Sequence, residues 1–324
     1  MGLPRLPFAN EGSEGSEGSE GSEGSEGSEG SEGSRVSGIR AYAGERTSAL
    51  LANALLTTHG ELTRGYFGGI SNPDTTVGPL NANVAMGRWS RRVREQLYTF
   101  ELASGLNFDA STPTSAKLKY GATTIINLSK PVYEASAAKL KLALQKTLDL
   151  AALREDRLGE ILTQVNVPYA YFAMLLNLQP GRHRYTYELM AAALILSGIA
   201  VMQFKHHFRV RRPADHSPLV QPVLLTPSHG SYPAGHASQG NILAEVLNDL
   251  VGTKLGTDLK LQLKLLADRV GENRVVAGVH YEEDITAGEK LGRALGKHFL
   301  QQAKPPSSKK ALRWLWSNAK AEWA

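Results

Sequence analysis

The chain has 324 residues and no cysteine, which excludes a disulfide framework, a zinc–thiolate site and a cysteine nucleophile. Its formal charge of +5 hides an asymmetry: residues 1–34 hold Arg5 against eight glutamates, a net −7, so residues 35–324 carry +12. A basic body of that length allows one large domain or two medium ones, and it suits nucleic acid, an acidic membrane face or an anionic substrate.

The opening MGLPRLPFAN lacks a hydrophobic signal region, and Leu6 stands where a myristoylation signal needs Ser or Thr. From Glu11 to Ser34 the triplet Glu-Gly-Ser repeats eight times with no apolar side chain to bury. Residues 1–34 are therefore expected to form a disordered tail, and 35–324 a single mainly helical domain. Residues 35–85 scatter Gly and Asn without a clear element. Ala85 to Ser104 reads as one helix with a basic face of Arg88, Arg91, Arg92 and Arg94. The 106–132 stretch, partly alternating from Lys117 to Leu128, suits a short hairpin. Tyr133 to Val165 reads as one long helix or two shorter ones, with Leu140, Leu144 and Leu148, then Leu158 and Leu162, four apart.

A helix over Val167–Leu178 stops at Pro180-Gly181. Thr186 opens an apolar helix running to Lys205. Its apolar run, Leu189 to Phe204, falls short of the ~20 residues a bilayer needs, which predicts a buried core helix and no membrane span. Further helices are expected over 235–252, 257–277, 279–301 and 307–322. In the last, Leu312, Leu315, Trp316, Ala319 and Trp323 share one side, a stripe expected to pack on its own domain. The fold expectation is an all-α helical bundle.

Three segments carry chemistry. In KHHFRVRRP, Lys205 and Arg212 follow directly on the core helix; alone, this reads as a solvated basic helix end. In YPAGH, Gly235 and His236 open a helix, where free N–H groups hold anions, and His236 can move a proton near neutral pH. In NRVVAGVHYEED, Arg274 precedes His280 and Asp284. Four residues apart on a helix, these two would share one face. A carboxylate there fixes the imidazole tautomer and raises its basicity, which makes either a nucleophile or a metal ligand. Each segment has a bland reading as a turn or an ordinary pair. Together they supply three cations, a helix N-terminus and two histidines, an inventory that matches a tetrahedral oxyanion attacked by one imidazole and protonated by the other.

The order Lys–six residues–Arg-Pro, Pro-x-Gly-His, then Arg–five residues–His–three residues–Asp resembles the signature shared by type 2 phosphatidic acid phosphatases, bacterial non-specific acid phosphatases and vanadium-dependent haloperoxidases. The resemblance implies a helical bundle of the haloperoxidase/acid phosphatase type from about residue 85 onward. It implies that Lys205, Arg212, Arg274 and the Gly235 N–H bind the oxygens of phosphate or vanadate. His280 would attack phosphorus or coordinate vanadium, Asp284 would orient it, and His236 would protonate a leaving alkoxide or polarise bound peroxide. Two positions depart from the family, Ala234 and Asn273, where it usually has Ser. Losing the serine hydroxyl removes a hydrogen bond to a charged oxygen worth about 1.5–3 kcal/mol, while Asn273 can still donate locally.

His229 is similarly a histidine in bromide-oxidising members. That likeness leads to a haloperoxidase with vanadate as cofactor and with hydrogen peroxide, halide and an organic acceptor as small-molecule substrates. The chain would be soluble, cytoplasmic by default, and able to form a homo-oligomer. A soluble acid phosphatase, cleaving phosphate esters through a phosphohistidine, is the alternative. A zinc hydrolase built on His206, His207, His229 and Glu282-Glu283-Asp284 lacks any His-Glu-x-x-His spacing. A nucleic-acid module using Arg88, Arg91, Arg92, Arg209 and Arg211 lacks a stacking platform, so no nucleic-acid partner is expected.

Overall fold

A computed structural model describes residues 53–58, 78–165 and 168–324; the Glu-Gly-Ser tail and nearly all of 35–77 lie outside these. Residues Ala82–Ala324 fall in one unit. It opens with α1 (Ala82–Arg88) and α2 (Arg91–Ala103), where one continuous helix was expected. The break at Ser90 has a cause. Arg94 Nη1 donates to the carbonyls of Met86 and Trp89, and its Nε and Nη2 grip both oxygens of Glu188 at 2.7 Å. Arg94 is buried, so it does not belong to the basic face read from the sequence.

Next comes a three-stranded antiparallel sheet rather than a hairpin: β1 (Leu106–Thr112), β2 (Ser115–Tyr120) and β3 (Thr123–Ser129), in that order. Gly121 makes the β2–β3 turn at φ +56°, a region open to glycine at little cost. One face of the sheet joins the core through Ala116, Leu118 and Leu128. The following stretch is the two-helix alternative, α3 (Ala137–Leu150) and α4 (Arg154–Gln164), joined through a 3-10 turn at Ala151–Leu153. A short α5 (Pro168–Leu175) leads to the turn at Pro180-Gly181.

The centre is α6 (Arg184–Phe208), with Leu189, Met190, Leu196 and Phe204 fully enclosed. Its 25 residues exceed the expected run. Among the described residues it is the one helix long and apolar enough to cross a membrane, with mean hydropathy 1.6 over its best window, 56% of which is buried by protein. A four-residue α7 (Pro213–His216) follows, then α8 (Gly235–Leu255), α9 (Thr257–Val276), α10 (Glu282–Ala303) and α11 (Lys310–Ala321). The stripe on α11 packs into the common core, with Leu312, Leu315 and Ala319 wholly enclosed.

Several helix starts borrow a carboxylate from a distant element instead of a local Ser or Asp. Glu322 accepts from the N–H groups of Tyr185 and Thr186 at the start of α6, and Glu101 from those of Ala311 and Leu312 on α11. Glu283 does the same for Val132 and Tyr133. Each satisfies orphan donors and complements the helix dipole while tying two elements together.

The α8–α10 contact positions the site. Gly288, Gly292 and Gly296 repeat at four-residue spacing on the α10 face that meets α8. A Cβ at Gly288 would collide with the Ala234 carbonyl, and one at Gly292 with that of Ser238. Glycine here lets two helices approach backbone to backbone, which brings the N-terminal ends of both to one place.

Candidate active site

Four segments meet at that end of the bundle. The C-terminus of α6 and the chain after it carry Lys205 and Arg212, the start of α8 carries Gly235 and His236, the end of α9 carries Arg274, and the turn into α10 carries His280 and Asp284. A cleft with an empty volume of about 450 Å3 is lined by Arg212, His236, Arg274 and His280, with Leu224, Leu225 and Val279 among its apolar walls. Lys205 and His229 do not line it. They lie on a neighbouring cleft that shares Arg212. Lys205 is buried, its ammonium donating to the carbonyls of Gly230 at 2.8 Å and Ser231 at 3.1 Å.

His280 and Asp284 meet, but not as an i,i+4 pair along a helix. The expected helix over 279–301 starts at Glu282, so His280 lies in the preceding turn, Tyr281 is the N-cap and Asp284 the third helical residue. Asp284 Oδ2 accepts from Tyr281 N at 3.0 Å, which folds the turn back and brings His280 Nδ1 to 3.1 Å. The helix cap itself therefore orients the imidazole.

Asp284 is fully enclosed and well supplied with donors. Ser231 Oγ donates to Oδ2 at 2.5 Å and Tyr133 OH to Oδ1 at 2.6 Å. Burial pushes its carboxyl up, and the hydrogen bonds from Ser231, Tyr133 and the Tyr281 N–H act against that rise. Burial, followed by the charge of Asp284, drives the Tyr133 phenol well up, so it remains a donor.

His280 is held well below the ordinary imidazole value, first by burial and then by the charges of Arg212 and Lys205. It is thus neutral near pH 7. Arg212 Nη1 lies 3.3 Å from its Nε2, and a guanidinium can only donate. Nε2 must therefore accept, and the proton sits on Nδ1, facing Asp284. This tautomer leaves the one ring lone pair on Nε2, beside Arg212 on the wall of the cleft.

Arg212 is the hinge of the site. Besides His280 it donates to the carbonyls of His229 (3.1 Å) and Val279 (2.8 Å). Arg274 is 1% exposed and donates through Nη2 to Ile161 O at 3.0 Å and Gln164 Oε1 at 3.1 Å. Its Nε and Nη1 are buried without a partner among the described residues, and burial lowers the guanidinium to about 10. His236 Nε2 lies 3.1 Å from Gln164 O; a carbonyl only accepts, so this nitrogen carries a proton. Gly235 is the first residue of α8, behind an enclosed Ala234 that packs with Ala237, Val275 and Ile285. Asn273 turns to Glu160 and Gln164, donating at 2.9 and 3.0 Å.

Ser231, Tyr133 and Gln164 were not singled out from the sequence. Ser231 stands inside the Pro-Gly-Ser loop before His236, and that position was its only signal. Tyr133 and Gln164 reach their partners across more than 70 residues of chain, with nothing local to announce it. The acidic run Glu282-Glu283-Asp284 is dispersed onto Lys146, the Val132 N–H and His280, and among the described residues no three His, Asp or Glu side chains gather as a metal site would require.

No family model matches the chain. Over 117 residues, 36% of this chain, it is 32% identical to the decaprenylphosphoryl-5-phosphoribose phosphatase of Mycobacterium tuberculosis, in strains CDC 1551 / Oshkosh and ATCC 25618 / H37Rv. The match spans 60% of the length of those curated relatives. Among solved structures, the PAP2-type phosphatidylglycerolphosphate phosphatase of Bacillus subtilis aligns over 53% of this chain and 90% of its own, at 20% identity and a TM-score of 0.41. A bacterial vanadium-dependent iodoperoxidase aligns over 56% of this chain and 52% of its own, with the same identity and score.

Proposed function

We propose that this chain hydrolyses phosphate monoesters through a phosphohistidine at His280. The carrying observation is Arg274, a buried guanidinium with two donor nitrogens, Nε and Nη1, that lack a partner among the described residues, on the wall of a cleft shared with a neutral, oriented imidazole. Unsatisfied buried donors beside Arg212 and the N-terminus of α8 suit an oxyanion with more than one negative charge.

In this reading Arg212 Nη1 turns its N–H from His280 Nε2 to a phosphoryl oxygen, and the freed Nε2 lone pair attacks phosphorus, forming a P–N bond as the P–O bond to the leaving group breaks. Arg212, Arg274 and the Gly235 N–H neutralise the non-bridging oxygens, and Asp284 stabilises the cation that develops on the imidazole. His236 gives its proton to the departing alkoxide. Since its Nε2 is directed at Gln164 O, the exchanging nitrogen is Nδ1. Water then attacks the phosphohistidine, returns a proton to His236 and releases phosphate.

The same donors fit vanadate, held through His280 Nε2, which would supply peroxide activation when bound. Peroxidase chemistry takes second place because His229, the side chain that led to it, lines the neighbouring cleft, and because the curated relative is a phosphatase. The two are separated by one comparison after incubation with orthovanadate and after its removal: p-nitrophenyl phosphate hydrolysis against peroxide-dependent bromination of monochlorodimedone. Hydrolysis by the vanadate-free protein, lost in His280→Ala, is expected. Bromination alone would reverse the order.

A further inference from the structure

The neighbouring cleft adjoins the first at Arg212 and Pro227. It has an empty volume of about 1110 Å3, and among the described residues two segments line it, the chain from Met202 to Asp215 and the loop Thr226–Gly230. The loop is fastened: Ser231 N donates to Val210 O at 2.8 Å, and a Cβ at Gly230 would press against the Lys205 and Val210 carbonyls. Lys205, His206, Arg209, Arg211 and Arg212 contribute to its wall, while Asp215, the one carboxylate among its described lining residues, accepts from the Arg212 N–H at 2.8 Å. Arg209 takes a left-handed conformation (φ 51°, ψ 37°) where a helix normally ends on glycine or asparagine. A non-glycine residue there costs about 1 kcal/mol or more. The turn it makes places Arg209 and Arg211 on the wall with their side chains exposed, within the same concavity as the buried Lys205 and Arg212.

Arg212 and Pro227 line both clefts. One side of the Arg212 guanidinium is 3.3 Å from His280 Nε2, the other 3.1 Å from His229 Nδ1. We infer that this basic cleft is a second anion subsite, holding another phosphoryl or similarly charged group of the substrate whose first phosphoryl occupies the His280 cleft. The preferred substrate therefore carries two anionic groups a few bonds apart. The identity of the first group rests on the hydrolase reading; the subsite itself does not.

Binding tests the subsite apart from turnover. Full-length protein is titrated calorimetrically with non-hydrolysable alkyl monophosphonates and with α,ω-alkanediyl bisphosphonates of three to six carbons, at fixed ionic strength. Linking two groups that engage together raises affinity through effective concentration. At least one bisphosphonate should bind about tenfold or more tightly than its monophosphonate, and Arg209→Gln/Arg211→Gln should erase that advantage while leaving monophosphonate affinity within about threefold. Arg211→Gln alone, away from the left-handed position, should erase part of it; Arg88→Gln/Arg92→Gln, at exposed positions of α1 and α2, should erase none. Equal affinities for the two classes at every length, or an advantage that survives the double substitution, overturns the subsite. Absence of p-nitrophenyl phosphate hydrolysis with the bisphosphonate advantage intact would overturn the hydrolase reading and leave the subsite standing.

Discussion

Arg212 Nη1 stands 3.3 Å from His280 Nε2, so the nitrogen that faces the cleft does so beside a permanent cation. Burial first, and then the positive charge of Arg212 beside it, disfavour protonation of that imidazole, so His280 stays neutral well below its ordinary value. If His280 is the nucleophile, the acid limb of kcat/KM for p-nitrophenyl phosphate reports its titration in the free protein. That limb should fall well below pH 6.5. Replacing the cation, in Arg212→Gln, should move it upward while lowering kcat/KM by at least about tenfold. An acid limb at 6.5 or above in the unmodified protein would contradict the arrangement.

A second histidine gives a stability signature away from the cleft. His298 is 5% exposed, rests on the Tyr120 ring at 4.8 Å, and is lowered to about 4 by burial and then by Lys309. Unfolded, it titrates near 6.5, so the unfolded chain takes up the extra proton. The folded state is fully favoured above pH 6.5 and loses stability as pH falls from there toward 4, by up to about 3 kcal/mol. Urea unfolding at pH 7, 5.5 and 4 should show a shallower decline for His298→Phe than for the unmodified chain. Parallel declines would mean that the ring is protonated in the folded state.

Most of the candidate site was legible because its parts sit where helices end, and helix ends leave local marks: Arg-Pro after an apolar run, Pro and Gly before His236, an acidic cluster after His280. The helices themselves follow apolar spacing that survives tertiary packing. What was not legible depends on distance. The break at Ser90 follows from Glu188, which fixes Arg94 from 94 residues away. The helix start at Glu282 was misplaced because apolar Val279 extends the periodic pattern backward, while the deciding interaction is Asp284 folding onto the Tyr281 N–H. The separation of Lys205 from the His280 cleft depends on the Gly230 and Ser231 carbonyls, which no side-chain pattern encodes.

Asp284 orients His280 only as firmly as Asp284 itself is held, so its donors are positioning residues. Tyr133→Phe and Ser231→Ala each remove a hydrogen bond to a buried carboxylate, and each should lower stability by about 1.5–3 kcal/mol. Both should reduce kcat with little change in KM, because neither touches the bound oxyanion. Ser231→Thr, which keeps the hydroxyl, should recover more kcat than Ser231→Ala. Steady-state kinetics with thermal unfolding reads this directly; a loss confined to stability would make the two residues scaffold alone.

The glycine stripe makes a graded prediction. At Gly288 an added methyl meets the Ala234 carbonyl and Ala237, and Ala234 also donates its N–H to Asp284 O at 3.0 Å. At Gly296 the same methyl meets the Glu245 side chain, two helical turns further from the site. Both substitutions to alanine overpack the α8–α10 contact and should cost about 1–3 kcal/mol of stability. Gly288→Ala, however, wedges apart the segments that carry His236 and Asp284, and a displacement near 1 Å suffices to cost about 100-fold in rate. Gly288→Ala should therefore lower kcat by at least tenfold at temperatures where it remains folded, while Gly296→Ala keeps kcat within about threefold. Equal kcat values for the two variants would show that the spacing of these helices does not set the geometry of the cleft.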